Sequence, residues 1–176
     1  DTPALQVDSG TVIANGLSLN STSTGVVGFP AVSLTGGSLN LSDSAVNADL
    51  GSAIEATGGS LVLRSSNVNG SSDDDVPMID ITGTATANLG DEVTAGNNTF
   101  SYRLDGANLI NPIGLPTGAD GSVFINNTTG LDIRASGNIF EVSALEDLSR
   151  NFDVRSDSRD VSGFSVTSET QGIVDI

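Results

Sequence analysis

The 176-residue chain contains no cysteine, no histidine and no lysine. Without cysteine there are no disulfides, and without cysteine or histidine the usual zinc sites and imidazole acid–base chemistry are excluded. The missing lysine removes Schiff-base chemistry, a P-loop and a lysine isopeptide crosslink; all six positive charges are arginine. No run of 18 apolar residues occurs, so no transmembrane segment is expected. Aromatic residues make up only 4% of a chain rich in Gly, Ser, Thr and Asn. Such a composition suits disorder unless a regular apolar pattern opposes it.

The formal net charge is −16. A surface of that sign repels nucleic acid and anionic membranes, so neither is expected as a partner. Aspartate without lysine suits a high-salt or calcium-containing medium, and equally an ordinary acidic secreted protein. The chain begins with Asp1 rather than Met, as expected of a processed mature form or an excised piece. The expected location is secreted, extracellular or at a cell surface.

The apolar pattern is there, and it repeats. Residues 31–46, AVSLTGGSLNLSDSAV, recur 22 positions later as residues 53–68, AIEATGGSLVLRSSNV, with nine of sixteen positions identical. A fixed short period of this kind marks a solenoid. A shift of 27 residues brings Ala4–Val7 onto Ala31–Leu34 and Gly10 onto Gly37, and a shift of 25 brings Met78–Gly83 onto Ala53–Gly58. Leu131–Ser136 aligns on Leu61–Ser66, and the remaining gap leaves room for a coil around Phe100–Leu104. Coils are therefore expected to start near residues 4, 31, 53, 78, 100 and 123, with a degenerate one after that.

Within a coil the aliphatics alternate at period two, the signal of a half-buried strand. The inward set is Val32, Leu34, Leu39, Leu41 and Val46 in one coil, with Ile54, Leu61, Leu63 and Val68 as counterparts in the next. Three strands joined by Gly- or Asn-bearing corners close one turn. The expected fold is all-β, a right-handed parallel β-helix of about six to seven coils over residues 1–140. Residues 141–176 form a distinct C-terminal segment. The same shifts superpose Asn20, Asn47 and Asn69, which reads as an asparagine ladder at one corner.

Residues 53–68 resemble the coils of right-handed parallel β-helix proteins, most of all bacterial autotransporter passengers, polymorphic outer-membrane proteins and other surface adhesins. The resemblance covers residues 4 to about 140 and implies an extracellular, adhesive or structural solenoid. Pectate lyases and related polysaccharide enzymes share this coil, so the alternative is a polysaccharide-active or polysaccharide-binding β-helix, such as a tailspike-like module.

Three groups of residues are candidates for more than packing. Asp73, Asp74 and Asp75 lengthen one corner, and Asp49 lies near the equivalent corner one coil earlier. Stacked carboxylates there either hold calcium, which takes six to eight oxygen ligands, or form a solvated loop tip. For an enzyme, Asp80, Asp105, Asp132, Arg103 and Arg134 would have to converge on one outer face; Arg–Asp pairs on strands are otherwise salt bridges. No catalytic residue is expected.

The third group is C-terminal. Glu141–Arg150 has the spacing of a short amphipathic helix through Leu145 and Leu148. Arg150, Arg155 and Arg159 follow, then strand-like stretches with Phe164, Val166, Ile173 and Val174. This segment either caps the open end of the solenoid or pairs with another subunit, and in the second case it builds a head-to-tail filament. Self-association is the expected partnership, with a glycan as a further one.

Overall fold

The computed structural model describes residues 2–21, 28–70, 76–91, 93–102, 123–127, 129, 131, 133–142, 153–156, 165–167 and 173–175. Eighteen strands and no helix occur among them. The repeating unit is three short strands. The first coil holds β1 (Leu5–Val7), β2 (Thr11–Asn15) and β3 (Ser18–Ser21); the second holds β4 (Val32–Leu34), β5 (Ser38–Ser42) and β6 (Ala45–Ala48). Then come β7 (Ile54–Ala56), β8 (Ser60–Arg64) and β9 (Asn67–Gly70), and β10 (Ile79–Ile81), β11 (Thr86–Gly90) and β12 (Thr99–Tyr102). The fifth coil is β13 (Val123–Asn127), β14 (Arg134–Ala135) and β15 (Ile139–Val142). After it lie β16 (Asp153–Ser156), β17 (Ser165–Thr167) and β18 (Ile173–Asp175).

Strands of equal rank in successive coils pair side by side in parallel. The first sheet runs β1-β4-β7-β10-β13-β16, the second β2-β5-β8-β11-β14, and the third β3-β6-β9-β12-β15 before ending in β18 and β17. The molecule is a parallel β-helix. Its six rungs in the first sheet span about 24 Å at the usual inter-strand spacing of about 4.8 Å.

The register follows the repeat. Leu39 pairs with Leu61 and Val46 with Val68, and one coil earlier Leu5 pairs with Val32 and Val12 with Leu39. Alternation sends every second side chain into the space between the sheets. Val32, Leu34, Leu39, Leu41, Val46, Ile54, Leu61, Leu63 and Val68 are all fully buried there.

The corner after each first strand explains the Gly-Gly pairs. Gly10, Gly37 and Gly59 all have φ between 75° and 81°. A Cβ on Gly59 would sit 2.5 Å from the Gly37 carbonyl oxygen of the coil beneath. Left-handed backbone and direct backbone stacking both select glycine here.

Three expectations need correction. No coil starts at residue 100: Thr99–Tyr102 is the third strand of the coil that begins at Ile79, with Phe100 stacked on Val68. Between Met78 and Tyr102 the described residues hold one coil, and the next rung of the first sheet begins at Val123, because an insertion between strands leaves rung stacking intact. Five coils are complete among the described residues, and β16 adds a sixth rung to the first sheet beyond residue 140.

Second, Arg134 does not stack over Arg64. It pairs with Asn88, which itself pairs with Val62, and a bulge follows between Asn88 and Gly90. The string match was off by two residues, a slip that keeps inward residues inward and so leaves no trace in the alternation. Third, Glu141 and Val142 end strand β15 rather than start a helix; residues 143–150, with Leu145 and Leu148, lie outside the described residues.

The buried leucine column sets the first test. Leu61→Ala removes a fully buried side chain between Leu39 and Ala87, and the expected loss is about 2–5 kcal/mol of unfolding free energy. Leu61→Asp places a charge in the same column and is expected to abolish cooperative thermal unfolding, read by circular dichroism.

Candidate functional site

Two ladders of polar side chains run along the helix axis, and they differ in burial and direction. The outer one lies on the third sheet. Asn20, Asn47 and Asn69 are paired residues of β3, β6 and β9, on the strands themselves and not at a corner. Asn47 Nδ2 donates to Asn20 Oδ1 at 2.7 Å, and Asn69 Nδ2 donates to Asn47 Oδ1. Every amide in this ladder points its donor toward the first coil. Asn20, at the end, donates to Ser18 Oγ of its own strand at 3.3 Å.

The inner ladder occupies the corner between second and third strands. Gly16, Asp43, Ser65, Asn97 and Gly137 each take positive φ there, from 48° to 71°. The residue after each turns inward: Leu17, Ser44, Ser66, Asn98 and Asn138. The Leu17 N–H donates to Ser44 Oγ at 3.1 Å, the Ser44 N–H to Ser66 Oγ at 3.1 Å, and the Ser66 N–H to Asn98 Oδ1 at 3.0 Å. The Asn98 N–H continues the series to Asn138 Oδ1 at 3.0 Å. Backbone donors thus point toward the later coils, opposite to the outer ladder.

Asn98 is the hub. Its Nδ2 donates to the carbonyls of Leu63 and Leu89 and to Asn138 Oδ1, all within 3.1 Å and all buried. A chain bent through a left-handed corner inside an apolar bore leaves backbone groups without a strand partner. These side chains supply one, as buried polar groups require. Sequence reasoning missed this column. Its signal was a small polar residue two positions before each inward Val46, Val68 and Phe100, which is inward by strand parity.

A third cluster braces the loop between β11 and β12. Arg64 donates to the Leu63 and Asn88 carbonyls and to Asn88 Oδ1, and lies 3.8 Å from Asp91. Asp91 accepts from Asn88 Nδ2 and from the Thr94 and Val93 N–H groups. These bonds, Asn88 foremost, hold its carboxyl below the usual carboxylate range, with the Arg64 charge a smaller contribution. At the first corner Asp8 is lowered too, by bonds from Gln6 and then Thr35.

Two members of the enzyme set are described, and they lie on different sheets. Asp80 sits on β10 in the first sheet, paired with Glu55 and Asn126, whereas Arg134 sits on β14 in the second sheet. Arg103, Asp105 and Asp132 lie outside the described residues. So do Asp73, Asp74 and Asp75 of the calcium candidate, whereas Asp49 is exposed after β6. Among the described residues no group of three or more acidic side chains is placed to hold a metal ion.

At the C-terminal end, Arg155 lies on β16 in register with Asn126. Val166 pairs with Val174 in an antiparallel hairpin, and β18 pairs antiparallel with β15, Ile173 opposite Glu141 and Val174 opposite Phe140. The edge β15 would offer to another molecule thus carries a strand of its own chain. Arg150, Arg159 and Phe164 lie outside the described residues.

The two ladders predict different costs. Asn98→Ala strands the buried Ser66 N–H and takes one of two side-chain donors from each of the Leu63 and Leu89 carbonyls, and is expected to cost about 2–3 kcal/mol, whereas Asn47→Ala on the wet face costs under about 1 kcal/mol; urea unfolding of both variants checks the contrast. Asp91→Asn is expected to melt below the wild type at neutral pH. Because the folded-state pKa of Asp91 is depressed, its contribution is present above the ordinary carboxylate pKa and is lost as pH falls through the depressed value. The two melting curves therefore converge in acid.

Compared with protein-family models, curated proteins and solved structures, the chain matches none.

Proposed function

We propose that this protein is an extracellular structural β-solenoid that works at a cell surface, in adhesion or as a subunit of a fibre. The observation that carries the reading is the use made of its polar side chains. Asn20, Asn47, Asn69, Ser44, Ser66, Asn98 and Asn138 bind one coil to the next along the axis. That arrangement resists extension and shear. The outward residues of the second sheet, Thr11, Ser38, Ser60 and Thr86 in one column, are short hydroxyls suited to a hydrated exterior. A charge of −16 with no lysine fits a high-salt or calcium-bearing medium, where carboxylates are hydrated or gain counter-ions.

The separation of Asp80 from Arg134 on different sheets weighs against the polysaccharide-enzyme alternative. Negative-stain electron microscopy, with and without added calcium, is expected to show short rods that associate through their ends. Incubation with acidic and neutral polysaccharides is expected to release no product, and turnover would replace this reading with the enzymatic one.

A further inference from the structure

Two Asn-Gly pairs occur in the chain, Asn15-Gly16 and Asn69-Gly70. Such a pair is chemically labile, because glycine has no Cβ to keep its backbone nitrogen away from the asparagine side chain. The fold places the two pairs in different surroundings.

Asn69 and Gly70 are both strand residues of β9. Asn69 pairs with Asn47 on one side and Ser101 on the other, and Gly70 pairs with Tyr102. Gly70 is buried against Met78; a Cβ added to it would lie 3.0 Å from Met78 Cε. The Asn69 amide is also tied to Asn47 in the outer ladder. To bring Asn69 Cγ onto the Gly70 nitrogen, both residues must leave a strand that is paired on each side.

Asn15 is the last residue of β2, and Gly16 has already left the strand to turn the second corner at φ 69°. Three hydrogen bonds clamp this corner to the second coil. The Gly16 N–H donates to the Ser42 carbonyl at 3.0 Å. Asn15 Nδ2 donates to Ser42 Oγ at 3.0 Å and to Asp43 Oδ2 at 2.6 Å. Opening the corner breaks these bonds and leaves the strands in place, so it is a local fluctuation.

We propose that Asn15 is a site of spontaneous deamidation, and that reaction there turns the clamp between the first two coils into a repulsion. The Gly16 backbone nitrogen, its proton lost to hydroxide, attacks Asn15 Cγ. The Cγ–Nδ2 bond breaks, and Nδ2 takes a proton from water and leaves as ammonia. Water then adds across one of the two carbonyl–nitrogen bonds of the succinimide ring, giving aspartate or isoaspartate at position 15. Overall one water is consumed and one ammonia released. The new carboxylate stands where an amide donor met Asp43 Oδ2, so two like charges face each other. Isoaspartate also lengthens the main chain two residues before Leu17, whose N–H opens the inner ladder at Ser44 Oγ. The proposal rests on the corner geometry and stands or falls separately from the cell-surface role.

The test is peptide mapping by mass spectrometry after incubation of the whole chain in mildly alkaline buffer, folded and in urea. In the folded protein Asn15 is expected to convert about tenfold or more faster than Asn69, because local opening is more frequent than loss of a strand. In urea the two sites are expected to convert at similar rates. Equal rates in the folded protein overturn the proposal, as does an Asn15 still intact when the unfolded chain has fully converted. For the consequence, Asn15→Asp is expected to lower the melting temperature, and Asp43→Asn added to it to restore most of the loss. An Asn15→Asp variant as stable as the wild type, or one that Asp43→Asn does not rescue, overturns the repulsion.

Discussion

Rung-on-rung stacking is the constraint from which the rest of this molecule follows. Successive coils lie one hydrogen bond apart, so whatever occupies a given place in one coil must tolerate the same place in the next. At the first corner that leaves no room for a side chain, and Gly37 and Gly59 stack backbone on backbone. In the bore it sorts aliphatics into columns. At the second corner it demands an answer for backbone groups that the strands do not pair.

That last demand is met by side chains whose reach changes along the axis. Serine serves where coils are regular, at Ser44 and Ser66, and asparagine takes over at Asn98 and Asn138. The change coincides with the loop at residues 91–96 and with the bulge at Asn88–Gly90. A longer amide reaches carbonyls on both neighbouring strands, Leu63 and Leu89, which a serine hydroxyl at that position would not span. Arg64 and Asp91 brace the same irregularity from outside. Burial decides which ladder matters for stability: the inner one has no water to replace a lost partner, whereas the outer one does.

Stacking also makes the ends special, since a rung needs a neighbour on both sides. The chain supplies one at the C-terminal end by turning a hairpin back against β15, reversing the strand direction that every earlier rung had kept. The first coil has no such cover among the described residues.

The amino-acid sequence by itself determined the parallel coil, its period and the inward columns. The repeat of residues 31–46 at 53–68 is close enough that register and strand parity follow from alignment alone. It determined much less where repeats diverge. The place of Phe100 in its coil was not legible, because an insertion of any length can separate stacked strands. Neither was the partner of Arg134, because a two-residue slip preserves inward and outward faces. The inner ladder was decided only by the tertiary structure. Ser44, Ser66 and Asn98 are ordinary turn residues until left-handed corners turn them into the bore, where each accepts an N–H from the coil before it and donates to a carbonyl of its own coil.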